Sequence, residues 1–256
     1  MPSVSTATLA HALGRIRGDD GPWANTHYDV SEELGLYDID DLQDGTIDDE
    51  LKAITEELNN NPDLGIEEFV LDGPMYAVGD DGTVALAVLF FQNDSIRSFT
   101  LSNVRYTGTI GLRALLGALV YNKTVTELVL RSDDEPFGEG AAPDLHKSVL
   151  SPICIAELAR VFRENSTLEY VCLAPNGLTD DDVIHVLAPA LAVNTSIVEL
   201  DVSANDGITD VGHQALVEAM GDRGTVVREE MMDVGYDTDK TADETDDDDT
   251  DDEQDE

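Results

Sequence analysis

Basic residues are scarce in this 256-residue chain, where 14 Lys and Arg stand against 55 Asp and Glu and leave a formal net charge of −41. A surface so charged repels phosphate, which excludes nucleic acids and anionic membrane surfaces as natural partners. Cysteine is almost absent. Cys154 and Cys172 are too few for a disulfide scaffold and lack the C-x-x-C spacing of a zinc site, as suits a reducing compartment. Long apolar runs are missing as well: the longest, VALAVLFF at residues 84–91, is far short of a membrane span. No apolar stretch follows the N-terminal basic residues as a secretory signal requires, so a cytoplasmic or nuclear protein is expected. Aromatic residues make up 5% of the chain, yet the apolar fraction of 41% suffices for a folded core.

The acids are unevenly placed. Residues 229–256 carry 16 acids and one lysine, Lys240, with little apolar beyond Met231, Met232, Val234 and Tyr236. Such a segment cannot offset its backbone entropy and self-repulsion by burial, which predicts a disordered polyacidic arm. Thr241, Thr245 and Thr250 are each followed three residues later by an acid, a spacing open to acid-directed phosphorylation. The rest of the chain is acidic too, as high-salt adaptation or simple solubility would favour.

An internal repeat organises the middle of the chain. QNDSIRSFTLSN, YNKTVTELVLRS, ENSTLEYVCLAP and VNTSIVELDVSA superimpose without gaps, and NNPDLGIEEFVLDG is a weaker fifth copy upstream. Asn93 and Asn122 are 29 residues apart, as are Asn165 and Asn194, while an insertion stretches the step from Asn122 to Asn165 to 43. Before each asparagine, apolar residues such as Ile155, Leu158, Val161 and Phe162, or Ile184, Leu187, Ala190 and Leu191, recur at helical spacing. After it, the pairs Leu128 and Leu130, Val171 and Leu173, and Leu200 and Val202 have strand spacing with both side chains on one face. Each unit therefore reads helix, turn, short strand. One unit cannot bury its apolar face, but five stacked copies bury a continuous one.

STLEYVCLAPNGLTDDDVIHVLAPALAVN and TSIVELDVSANDGITDVGHQALVEAMGD resemble the leucine-rich repeat family, in its ribonuclease-inhibitor-type form, over roughly residues 48–228. The resemblance implies an α/β solenoid of about five repeats, with a curved parallel inner sheet and outer helices. It also implies that Asn176 and Asn205 satisfy backbone groups between coils. The matching positions in earlier copies are Asp133, Val104 and Pro74, so this ladder should weaken toward the N-terminus. NNNPDL followed by five repeats is similar to the C-terminal half of tropomodulins, which implies an actin-filament regulator as an alternative. Small-GTPase regulators and histone-binding acidic proteins also join such repeats to acidic tails, a third alternative. The domains expected are a cap at 1–47, a solenoid at 48–228 with an insertion at 132–154, and a tail at 229–256.

Signals of chemistry are few. Asn93, Asn122, Asn165 and Asn194 all lie in N-x-[ST] sequons, but their shared place at a helix end favours a left-handed C-cap followed by a turn over glycosylation. The segment from Asp40 to Leu51 has a superficial calcium-loop outline but lacks the bidentate Glu at its twelfth position, so a helix start near Thr46 is preferred. His11, His27, His146, His185 and His213 form no metal-ligand pair and read as surface residues. Neither G-x-S-x-G nor a phosphate-cradling loop is present, which argues against an enzyme and against any catalytic, metal or cofactor site. Cys172, between the inward Val171 and Leu173, reads as a surface thiol.

The function expected is that of a non-enzymatic protein-interaction module, a monomer with a protein partner of basic character on the concave sheet face. The residues placed on that face are Glu68, Val70 and Asp72; Ser98, Thr100 and Ser102; Glu127, Val129 and Arg131; Tyr170, Cys172 and Ala174; and Glu199, Asp201 and Ser203. Tyr170 and Arg131 rank first as anchors because aromatic and Arg side chains concentrate interface energy. The insertion, with Pro136, Gly138, Gly140 and Pro143, should project as a loop. Leu9, Leu13 and Ile16 at helical spacing, followed by Trp23 and Tyr28, should cap the first coil.

Overall fold

A computed structural model describes residues 6–17, 27–34, 46–72, 77–102, 104–106, 109–131 and 150–228 of the chain. Its centre is a parallel sheet of seven strands: β1 (His27–Asp29), β2 (Glu68–Asp72), β4 (Ser98–Ser102), β6 (Glu127–Arg131), β7 (Tyr170–Cys172), β8 (Glu199–Asp201) and β9 (Thr225–Val227), side by side in that order. Two shorter strands, β3 (Ala77–Val78) and β5 (Arg105–Tyr106), pair parallel in a second sheet beyond the first. The helices α3 (Asp48–Asn60), α4 (Asp80–Gln92), α5 (Thr109–Tyr121) and α6 (Pro152–Glu164) each precede a strand of the main sheet and pack in sequence against one another. The next coil has a short α7 (Asp180–Asp182), a π-helical turn (Val183–Leu187) and α8 (Ala188–Leu191), and α9 (Asp210–Met220) leads to β9. The π turn ends just before Pro189, which has no N–H to donate and whose ring excludes the ordinary α-helical bond to the His185 carbonyl.

The sheet is two strands wider than the five repeats. Tyr28 of β1 pairs with Phe69 of β2 at one edge, and Val226 of β9 pairs with Leu200 of β8 at the other. The N-terminal segment thus extends the sheet by one strand. Its helix α1 (Thr6–Arg17) buries Ala12 and Ile16, with Leu9 and Leu13 packed on the core, and Arg17 reaches Glu57 of α3 at 2.7 Å. A one-turn helix, α2 (Val30–Glu33), starts at Asp29, whose carboxylate accepts the N–H groups of Ser31 and Glu32. The Ser31 hydroxyl in turn accepts the N–H of Asp72 on β2 at 2.9 Å. At the end of the segment 132–154, Leu150 is buried and Ser151 caps α6. Residues 132–149, 229–256 and the first half of the calcium-like segment lie outside the described residues.

The core between sheet and helices holds the residues that the two periodicities select. Phe69, Phe99, Leu128, Val171 and Leu200 form one fully buried row across the strands, and Leu58, Leu89, Leu119, Leu158 and Leu187 come from the helices. Ile184 is the exception, only half-buried on the π turn.

Three sets of polar staples join consecutive coils. At the helix ends, the amides of Asn122, Asn165 and Asn194 donate to the carbonyls of Phe90, Leu119 and Phe162 in the coil before, at 2.8, 2.7 and 2.7 Å. Each Oδ1 accepts two backbone N–H groups further on, as at Thr124 and Val125 for Asn122. The left-handed caps expected of these asparagines are not formed: Asn93 and Asn165 have extended backbones, with φ −85° and −77°. An extended residue keeps its side chain aimed at the neighbouring coil, which a left-handed cap would not. Past the strands, Asn176 donates to the Leu130 carbonyl at 2.7 Å and Asn205 to that of Leu173 at 3.0 Å. The Asn205 Oδ1 accepts from Asn176 N at 2.8 Å. Val104, at the matching earlier position, is buried and apolar.

The third set stands at the helix starts. Asp48 and Asp80 accept the N–H groups of Gly79 and Gly111 in the next coil, both at 2.7 Å, and Asp180 accepts those of Thr209 and Gly212 at 2.9 and 3.1 Å. The partner must be small: a Cβ on Gly111 would lie 2.6 Å from the Asp80 carbonyl oxygen. Part of the chain's acidity is therefore structural, since these carboxylates satisfy backbone donors across coils.

Candidate functional site

Parallel register turns five sequence repeats into rows. Glu68, Ser98, Glu127, Tyr170, Glu199 and Thr225 stand opposite one another in successive strands, and Val70, Thr100, Val129, Cys172, Asp201 and Val227 form the next row. Asp72, Ser102 and Arg131 make a third, shorter row. Adjacent strands lie about 4.8 Å apart, so neighbours in a row are within side-chain reach. The alternation on β2, β4 and β6 is half-buried, buried, half-buried, which places these rows on the sheet face turned away from the helices. Glu68, Val70, Asp72, Ser98, Thr100, Ser102, Glu127, Val129, Arg131, Tyr170, Glu199 and Asp201 thus share one face of the sheet.

Its acids recur on every second repeat strand, with Ser98 and Tyr170 between them in the first row. Glu68, Glu127 and Glu199 stand in the first row, Asp201 in the second and Asp72 in the third, all half-exposed. His27, on the added edge strand β1, lies 2.8 Å from Glu68 and lengthens the first row by a residue outside the repeats.

On β7, and just past β7 and β8, burial differs from the expectation. Cys172 is 6% exposed, and Ala174 and Ser203 are buried with it. The thiol is therefore covered although it points away from the helices, because Tyr170 and Asp201 close over it. It contacts Asp201 Oδ2 at 3.6 Å and is hydrogen-bonded to the Tyr170 side chain. Burial, with the nearby Asp201 carboxylate, pushes the thiol pKa up, so it stays protonated. Burial also raises the Tyr170 hydroxyl well above its ordinary range, with Cys172, Asp201 and Glu199 adding to the effect. Asp201 accepts from both the Ser203 hydroxyl and its N–H, so its carboxylate is held in place. Tyr170, Cys172, Asp201 and Ser203 make a fixed polar cluster on an otherwise open sheet. A neutral thiol and a neutral phenol offer hydrogen bonds and contact area rather than nucleophilic chemistry.

Of the histidines, His185 is exposed, whereas His213 is half-buried with its ring 3.3 Å from the Val226 carbonyl of β9, and so belongs to the closing coil. Among the described residues, no group of three His, Cys, Asp or Glu side chains is arranged to hold a metal ion, and no helix is long and apolar enough to cross a membrane.

No protein-family model and no curated protein matches the chain. Among solved structures, it is similar to actin-binding site 2 of leiomodin-1, with 22% identity over 67% of this chain and 79% of that one and a TM-score of 0.42. It is also similar to the C-terminal domain of a tropomodulin from Caenorhabditis elegans, with 18% identity over 73% of this chain and 92% of that one and a TM-score of 0.47. Likeness at this level concerns the arrangement of helices and strands alone.

Proposed function

We propose that the chain is a non-enzymatic interaction module that holds a protein partner, basic in character, on the open face of its sheet. The observation that carries this reading is the in-register assembly of Glu68, Glu127 and Glu199 in one row beside the fixed Tyr170–Cys172–Asp201 cluster. A row of carboxylates steers and orients basic groups, while a half-buried tyrosine held by its neighbours contributes contact area at little entropic cost. The polyacidic segment 229–256 then adds long-range attraction for the same partner, screened over about 8 Å at physiological ionic strength.

Affinity capture from the native cell, compared with a Tyr170→Ala, Glu127→Gln variant, tests the reading. The partner should be lost while the melting temperature stays within a few degrees of the parent. Capture of actin, a small GTPase or histones would specify which kind of module this is. A partner retained by the double variant but lost on shortening residues 132–149 would move recognition to the insertion and overturn the proposed face.

A further inference from the structure

On the opposite side of the molecule, where helices face solvent, the last coil carries a feature that the open sheet face does not explain. Ile184, Asp210, Val211, Gln214, Ala215 and Glu218 line a shallow groove of about 590 Å³. α9 presents two stripes to it. Val211 and Ala215 form an apolar stripe at i and i+4, and Asp210, Gln214 and Glu218 form a polar one at i, i+4 and i+8 beside it. The buried face of the same helix, with Gly212, Leu216 and Met220, packs on the core, and Ala215 is partly buried beside it, which leaves Val211 as the exposed apolar residue of the stripe. Val211 is 65% exposed, and Ile184 is offered from the π turn of the neighbouring coil.

The rim is acidic. Asp181 and Asp210 are 94% exposed, and Glu218 accepts from Gln214 at 3.1 Å. Two basic groups face these acids: Arg228, 2.7 Å from Asp210, and His185, 3.8 Å from Asp181. Neither touches Glu218 or covers the apolar floor. Like charge argues against two occupants: a second copy of a chain with net charge −41, and the chain's own polyacidic terminus.

We propose that this groove docks an amphipathic helix of a second protein, with aliphatic side chains on Val211, Ala215 and Ile184 and flanking Lys or Arg against Glu218, Asp210 and Asp181. The groove runs along two turns of α9, the length over which i, i+4 and i+7 anchors of a docked helix are read. Aliphatic burial supplies the affinity and the acidic rim selects a basic helix over an acidic one.

The test uses the full chain and a fluorescent synthetic helix of about 18 residues, with Leu at i, i+4 and i+7 and Lys on the other face. Its counterpart carries Glu in place of Lys. Anisotropy titrations at about 150 mM salt should show saturable binding of the Lys peptide and none of the Glu peptide. Exchanging Val211→Ser together with Ile184→Ser leaves charge unchanged and should weaken binding about tenfold or more. The Tyr170→Ala, Glu127→Gln variant should bind as the parent does. Equal binding of the two peptides, or affinity indifferent to the serine exchanges, would overturn the proposal. So would loss of binding in the open-face variant, which would place the peptide on the sheet instead.

Discussion

The two ends of this sheet hold their coils together by different means. Toward the N-terminus, β2, β4 and β6 are five residues long and pair over their whole length. At this end the core carries a ring cluster: Tyr28 of β1 stacks on Phe69 at 6.3 Å, Phe69 meets Phe99 at 5.7 Å, and Phe90 of α4 meets Phe99 edge-on at 4.2 Å. Toward the C-terminus, β7 and β8 are three residues long, the core row shrinks to Val171 and Leu200, and buried asparagines bind one coil to the next. At the N-terminal end long ladders and ring packing add to the polar staples, whereas past the short C-terminal strands the amides of Asn176 and Asn205 supply further inter-coil bonds. The same coil geometry tolerates both, because a coil requires only that its backbone groups be satisfied and its interior filled.

The largest effect that would break this contrast is at its aromatic end. Phe99→Ala should cost about 3–5 kcal/mol in chemical denaturation, since it vacates the centre of the ring cluster. Asn205→Ala should cost about 2–3 kcal/mol, because it strands the buried carbonyl of Leu173 and the N–H groups of Asn176 and Leu178. Asn93, half-exposed and bonded locally to Ser95 and Ile96, is the control: its replacement by alanine should cost about 1 kcal/mol or less. If Asn93 and Asn205 proved equal, the inter-coil amide bonds would not be what stabilises the C-terminal end.

A third prediction uses pH. Hydrogen bonds from Thr209, first from its hydroxyl, and from the Gly212 N–H hold the Asp180 carboxyl below its ordinary pKa. A depressed folded-state pKa contributes stability that is present above the unfolded value of about 3.9 and lost as pH falls through the folded one. The stability difference between the parent and Asp180→Asn should therefore be constant near neutrality and shrink below about pH 4. A difference that grew on acidification would mean that the staple is not ionic. The smallest effect concerns Ala204, which holds a left-handed backbone at φ 53° in the turn leading to Asn205. Ala204→Gly should relieve that conformation and stabilise the chain by about 0.5 kcal/mol, read as a small rise in melting temperature.

Much of this was legible beforehand because the repeat is written in two periods. Helical spacing before each asparagine and alternation after it separate inward Leu128, Val171 and Leu200 from outward Glu127, Tyr170 and Glu199, and the burial of the strands follows that division. The edge strands were not legible. HYD at residues 27–29 and TVV at 225–227 are too short for any periodicity, and only an unpaired sheet edge recruits them. The Asp staples escaped notice too, since Asp48 with Gly79 and Asp80 with Gly111 recur at 31 residues rather than at the 29 of the asparagines. A first-turn acid is already accounted for by its own helix, so nothing in the sequence announces a second role.

The sequence by itself determined the layered coil, because apolar spacing dictates which side of a helix or strand must be buried and a repeated unit can bury it only against its own copies. The inter-coil role of Asn176 and Asn205 was implied by the resemblance to leucine-rich repeats, and their amides do reach the carbonyls of Leu130 and Leu173. Tertiary structure alone decided the covering of Cys172. Alternation correctly turns that side chain away from the core, yet burial there depends on Tyr170 and Asp201, brought over it by its own strand and by the next. The groove beside α9 was decided the same way, for Val211 and Ile184 are 27 residues apart in the chain and meet only because one coil is stacked on another.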